Sequence, residues 1–260
     1  MSETATDTTR LGSSTLALTV ATYGVRLRLS ASDAELLDAA KAALPPQWAQ
    51  VDGHAHDRSY DMERSLDGSS CALWIDGGFS SRHDDVRRLA DACGADAQIY
   101  VAEMAPDRVF VHAGVVGWRG RAILVPGRTW SGKTTLVAAL AAAGATYYSD
   151  EYAVLDLQGV VYPYPQPLGV RAAGGRTRLD PRTLPAGVGA SPLPVGAVML
   201  TEYRPEASWT PKPLSPGQAV LALLAHTVSV RRQPERALTA LRRALAGASV
   251  LRGSRGEAAE

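Results

Sequence analysis

Gly127, Gly132, Lys133 and Thr134 stand in the order G-x-x-x-x-G-K-T, with Arg128, Thr129, Trp130 and Ser131 between the glycines and Thr135 directly after. Glycine lets a backbone turn sharply and approach oxygen atoms closely. Successive N–H groups and the positive end of a following helix can then hold phosphates, a lysine reaches the β and γ oxygens, and a threonine hydroxyl is a ligand for Mg²⁺. This spacing predicts a nucleoside triphosphate site built from residues 127–135.

Two acids follow at an interval that suits the same site. Asp150 and Glu151 lie 17 and 18 residues beyond Lys133, enough for a helix to run away from the phosphates and a strand to return. Phosphoryl transfer asks two jobs of carboxylates: taking a proton from the attacking hydroxyl and helping to hold Mg²⁺. The competing reading is a pair of solvated acids at a strand end. His112 precedes Gly127 by 15 residues, so a hairpin would bring it beside the loop. There it either touches the γ-phosphate or the acceptor, or serves as a structural hydrogen-bonder.

These groups work only if the surrounding elements place them. Residues 121–126 read as a short buried strand and 134–143 as an alanine-rich helix stopped by Gly144. The apolar segments 98–102 and 109–112 lead into 114–120, which has the character of a hairpin. Residues 146–156 form a strand interrupted by the two acids, 157–159 a turn, and 195–200 another buried strand. The Gly- and Pro-rich stretch 172–195 is expected to be a mobile loop. Helices are expected near 215–227 and 234–246, and the last residues as a frayed end. Upstream, 23–29 alternates like a half-buried strand, and Ser32 caps a helix over 34–44. Strands at 58–65 and 71–75 and a helix near 84–92 complete a smaller unit. The predicted organisation is a disordered tail at 1–14, a small α+β domain at 15–106 suited to acceptor recognition, and an α/β domain at 107–260.

The combination of His112, the loop Gly127–Thr134 and the sequence Tyr148-Ser-Asp-Glu151 resembles the C-terminal catalytic domain of HPr serine kinase/phosphorylases, whose phosphate-loop fold is shared with ATP-type phosphoenolpyruvate carboxykinases. The likeness covers residues 108–171 well and 195–250 in outline. It implies that Asp150 is the general base, that Glu151 takes the second acid's place with Thr134 as a metal ligand, and that His112 belongs to the active site with Lys133. Position favours the same division, with Asp150 facing the phosphates and Glu151 directed the other way along an extended chain. The chain departs from the family at residues 164–171, where Arg171 becomes a candidate phosphate contact. The nearer likeness is to HPr-kinase-like proteins of bacterial biosynthetic and peptide-maturation gene clusters, some of which phosphorylate a serine hydroxyl on a precursor peptide.

Bulk properties narrow the partners. Lys and Arg total 27 against 26 Asp and Glu, so no charge excess points to nucleic acid or an anionic membrane. Two cysteines are too few for a disulfide framework, and neither a signal peptide nor an apolar membrane span is evident, which together predict a cytoplasmic protein. The expectation is therefore an ATP- and Mg²⁺-dependent kinase acting on a hydroxyl of a peptide or protein, such as a precursor peptide from a neighbouring gene, with homo-oligomerisation left open. A nucleotide-sensing scaffold that transfers nothing and a small-molecule kinase of the same fold are the rivals.

Overall fold

The computed structural model describes residues 16–127, 131–172 and 175–258, with backbone alone at 170–172 and 175–177. The tail at 1–14 and the loop residues Arg128, Thr129 and Trp130 lie outside the described residues. The protein is mixed α/β, and its contacts divide it into two units, Met1–Pro106 and Asp107–Glu260.

In the first unit, β1 (Leu16–Thr22) and β2 (Val25–Ala31) form a hairpin whose turn, Tyr23-Gly24, has both residues left-handed at φ 49° and 80°. That geometry matches the twist of paired strands. The strand expected from Tyr23 therefore starts two residues later, and a second strand precedes it. After α1 (Ala34–Ala43) come β3 (Ala49–Val51), β4 (Arg58–Arg64), β5 (Cys71–Ile75), β6 (Gly78–His83) and α2 (Val86–Met104). The sheet runs β3-β1-β2-β4-β5-β6, parallel only between β2 and β4.

Asp33, and not Ser32, caps α1. Its Oδ1 accepts the Leu36 N–H at 3.0 Å, a contact worth about 1 kcal/mol, while the Ser32 hydroxyl donates to the same carboxylate. Helix α2 extends well past residue 92 and absorbs 98–102, because Leu89, Cys93, Ala97 and Val101 recur at helical spacing and are all buried. A side chain at Gly94 would stand 2.5 Å from the Ala43 carbonyl oxygen, so the two helices meet at backbone contact. Cys71 and Cys93 are free and buried, and burial pushes the Cys93 thiol up to about 12.

The second unit is built around a long strand. β7 (Val109–Trp118) turns through Arg119-Gly120 into β8 (Arg121–Pro126), and α3 (Lys133–Ala142) is the next element. β9 (Thr146–Ser149), β10 (Tyr152–Leu155), β11 (Val160–Tyr162), β12 (Leu168–Ala172) and β13 (Gly175–Leu179) follow. Then come β14 (Leu193–Tyr203), β15 (Lys212–Pro213), α4 (Pro216–Leu224), α5 (Pro234–Ala244) and β16 (Ser249–Arg255). The main sheet runs β11-β10-β7-β8-β14-β16-β15, and β11 also pairs with β14, closing a circuit of five strands. Its core draws Val111, Val115, Leu124 and Val198 together with Leu223 of α4 and Leu241 of α5.

Two expectations fail here. The stretch 172–195 is not a free loop: β13 pairs with β12, and Gly187 and Gly189 exchange backbone hydrogen bonds with Tyr147 of β9. A side chain at Gly189 would meet the Tyr148 ring at 2.1 Å, which makes the glycine a packing requirement here. Nor is the chain frayed as far as Arg255. β16 lies parallel to β14, with Tyr203 opposite Arg255.

Candidate functional site

The break between β9 and β10 sets the acid pair. β7 pairs with β10 through residues 109–112 and with β9 through 115–117, so the returning chain steps aside midway along one strand. The buried Ser149 hydroxyl accepts the N–H groups of Glu151 and Tyr152, at 3.1 and 3.0 Å, and turns the chain there. Asp150 and Glu151 thus lie in a bend, not along an extended strand, and both carboxylates act electrostatically on Lys133. This removes the extended chain on which the opposite orientation of the two acids was expected.

His112 is tied to the same point. Its carbonyl accepts the Gly127 N–H at 3.3 Å, its N–H donates to the His226 carbonyl at 2.8 Å, and Ala113 next to it donates to the Glu151 carbonyl. One stretch of β7 therefore joins the start of the loop to the acid bend. The imidazole lies 35° from the Tyr152 ring plane at 4.7 Å, and its Nδ1 is 3.5 Å from Glu151 Oε1. Phe110, Tyr152 and Tyr164 support this platform with edge-to-face contacts of 5.5 to 6.0 Å, each worth roughly 0.5–1.5 kcal/mol. His112 and Glu151 remain accessible, with side chains 41% and 42% exposed.

Asp150 sits deeper. Its Oδ2 accepts the Thr134 hydroxyl at 3.2 Å and its Oδ1 the Tyr147 hydroxyl at 3.3 Å, while Tyr147 also donates to the Gln166 carbonyl at 2.8 Å. Burial pushes the Asp150 carboxyl above its usual range, and the charge of Glu151 adds to the shift against the Thr134 and Tyr147 hydrogen bonds. Burial likewise raises the Tyr147 phenol, reinforced by Asp150.

Lys133 opens α3 and is only 9% exposed. Its ammonium donates to the Gly127 carbonyl at 2.7 Å, and burial lowers its pKa despite the charges of Glu151 and Asp150. Gly132 caps the helix in the left-handed conformation at φ 81°. A side chain at Gly127 would lie 2.4 Å from Ser131 Oγ, and one at Gly132 2.7 Å from Arg255 Nη2. Gly114, across the sheet, has no room either: its Cβ would meet Val137 at 2.4 Å, which lets α3 sit directly on β7. Thr135 is exposed on the first turn. Arg171 contributes backbone only among the described residues.

The glycine cradle, the buried Lys133 cation and the hard oxygen donors Thr134, Asp150 and Glu151 suit a triphosphate with Mg²⁺, which favours one or two carboxylates plus phosphate oxygens over an all-protein cage. Among the described residues no cluster of three or more His, Cys, Asp or Glu is arranged to hold a metal by itself. No described helix is long and apolar enough to cross a membrane.

Sequence reasoning overlooked Tyr147, Ser149 and Arg255. Tyr147 and Ser149 sit beside and within the segment 148–151 and carry the hydroxyls that shape it. Arg255 is remote in sequence, and only the β14–β16 pairing brings it to Gly132. Neither a protein-family model nor a curated protein matches this chain.

Proposed function

We propose that this chain is an ATP-dependent phosphotransferase of the HPr-kinase-like kind, moving the γ-phosphoryl group to a serine-type hydroxyl of a peptide or protein. The observation that carries the reading is the assembly around Lys133: a glycine-flanked helix start, Thr134 hydrogen-bonded to buried Asp150, and the accessible Glu151–His112 pair alongside. In the proposed reaction the acceptor oxygen bonds to the γ-phosphorus, and the bond from that phosphorus to the β–γ bridging oxygen breaks. ADP departs, and the hydroxyl proton passes to a carboxylate.

The contacts favour exchanging the roles that position suggested for the two acids. Asp150 is buried and already engaged by Thr134 and Tyr147, an arrangement suited to the phosphate and metal side of the site. Glu151 is open to an incoming hydroxyl and has His112 beside it as an orienting partner. The raised Asp150 carboxyl would make a stronger base, but reach to the proton comes before basicity. Mg²⁺ held by Thr134 and Asp150 would supply charge neutralisation at the phosphates.

The test is to incubate the protein with γ-labelled ATP, Mg²⁺ and peptides encoded by neighbouring genes. Label should appear on a serine hydroxyl. Glu151→Gln should lower transfer by roughly 10²–10⁴ with ATP affinity kept, whereas Asp150→Asn should weaken Mg²⁺-dependent binding. ATP binding with no labelled acceptor, unaltered in both variants, would favour the scaffold. Turnover of free serine or another metabolite would favour the small-molecule kinase.

A further inference from the structure

The strand β16 delivers a buried cation to the start of α3. Arg255 is 7% exposed. Its Nη2 donates to the Gly132 carbonyl at 3.0 Å and its Nη1 to the Gly256 carbonyl at 3.1 Å, while Nε is buried without a hydrogen-bond partner. The guanidinium carbon stands 5.7 Å from the centre of the Tyr203 ring, and the Arg255 carbonyl accepts the Arg204 N–H at 2.9 Å, so the strand's register holds the residue in place.

This is a costly place for a positive charge. A helix start already carries partial positive charge and favours anions, Lys133 adds a second cation next to it, and both bonded Arg255 nitrogens serve backbone carbonyls. Burial depresses the arginine's pKa in spite of Glu257 nearby. A polyanion at the loop would relieve that cost.

The hydrogen bond to Gly132 also orients the backbone. The Gly132 carbonyl accepts both Arg255 Nη2 and the Leu136 N–H, which fixes the peptide plane between Gly132 and Lys133. In a trans peptide the N–H points opposite to the carbonyl, so the Lys133 N–H is turned away from Arg255. We infer that Arg255 is a positioning residue for phosphate binding: it fixes the Gly132–Lys133 peptide with its N–H directed to the ligand and sets a permanent positive charge behind it. The inference rests on the phosphate-loop reading and extends the site to the last strand of the described chain.

The experiment is calorimetric titration of AMP, ADP, ATP and inorganic tripolyphosphate, each with Mg²⁺, into the parent, Arg255→Met, Arg255→Lys and Lys133→Met. Arg255→Met should lose about tenfold or more in affinity for ATP and tripolyphosphate, less for ADP and least for AMP, because the lost charge matters more as ligand charge rises. Arg255→Lys should recover part of the loss by restoring the charge without the forked geometry. If Arg255→Met does not fold, Arg255→Gln carries the test and should show the same graded loss. Equal loss for all four ligands would mark Arg255 as a mere support of the fold and overturn the inference. Parental ATP affinity in Arg255→Met beside lost affinity in Lys133→Met would overturn it while leaving the loop reading intact. A parent that binds neither ATP nor tripolyphosphate would overturn both.

Discussion

Arg58 in the first unit and Arg255 in the second are both largely withdrawn from water, yet their partners differ in kind. Arg58 holds Asp96 with two hydrogen bonds of 2.8 and 3.0 Å, lies 3.5 Å from Asp76, and stacks over Tyr100 at 4.6 Å. Tyr60 donates to the same Asp96 carboxylate. Burial disfavours the Arg58 cation, but Asp96 outweighs it and raises the pKa. At the foot of α3 the balance runs the other way: Arg255 and Lys133 donate to carbonyls, and burial lowers both pKa values while raising that of Asp150. The first arrangement is self-sufficient and suits a structural role. In the second, burial prevails over the neighbouring charges at both Lys133 and Arg255, and such sites are where ligand chemistry is to be sought.

Lys133→Met should have the largest effect. Removing a cation that burial disfavours should raise the melting temperature of the ligand-free protein while weakening Mg·ATP binding by roughly 100-fold. Opposite movement of the two quantities is the expected signature. A drop in both would place Lys133 among the structural charges.

Arg58→Met should do the reverse. The pair is partly exposed, with 22% of the Arg58 side chain accessible, so stranding Asp96 and Asp76 should cost about 2 kcal/mol in denaturant unfolding, less than a fully buried pair. ATP affinity should stay within roughly twofold. Loss of ATP binding in a folded Arg58→Met protein would refute the division into structural and ligand-directed charge.

The smallest effect concerns pH. The folded-state pKa of Asp150 is raised above its ordinary 3.8, so the folded protein holds a proton that the unfolded chain releases. The group's contribution is then most favourable at low pH and declines as pH rises from about 4 through the folded-state value. Asp150→Asn should accordingly melt higher than the parent at pH 7, with the difference fading toward pH 4. A difference that is constant across that window would show that ionisation of Asp150 is not its source.

The parts of this site readable in the residues were those with local signals. The strand at 121–126 is an apolar run bounded by Gly120 and Gly127, and the helix ends at Gly144, which adopts φ 100° as a left-handed stop requires. The nearness of His112 to the loop followed from a hairpin of ordinary length, and the acids' return from the length of one helix. What stayed hidden depends on distant pairing. Arg255 reaches Gly132 only because β16 runs parallel to β14, and a parallel pairing leaves no turn residues to announce it. The bend at Asp150-Glu151 depends on one serine hydroxyl, which no hydrophobic period reveals. The stretch 172–195 reads as loop because glycine usually signals freedom, whereas Gly189 is there for lack of space beside Tyr148.

The Lys133 and Arg255 cations at the foot of α3 are proposed to serve a triphosphate. Calorimetric titration of Mg·ATP into the unmodified protein at pH 7 tests it most directly. One site per chain is expected, with a dissociation constant between about 1 μM and 1 mM, the range typical of enzyme substrates, and with competition by tripolyphosphate. No saturable heat with either ligand, from protein that is folded by circular dichroism, would contradict it.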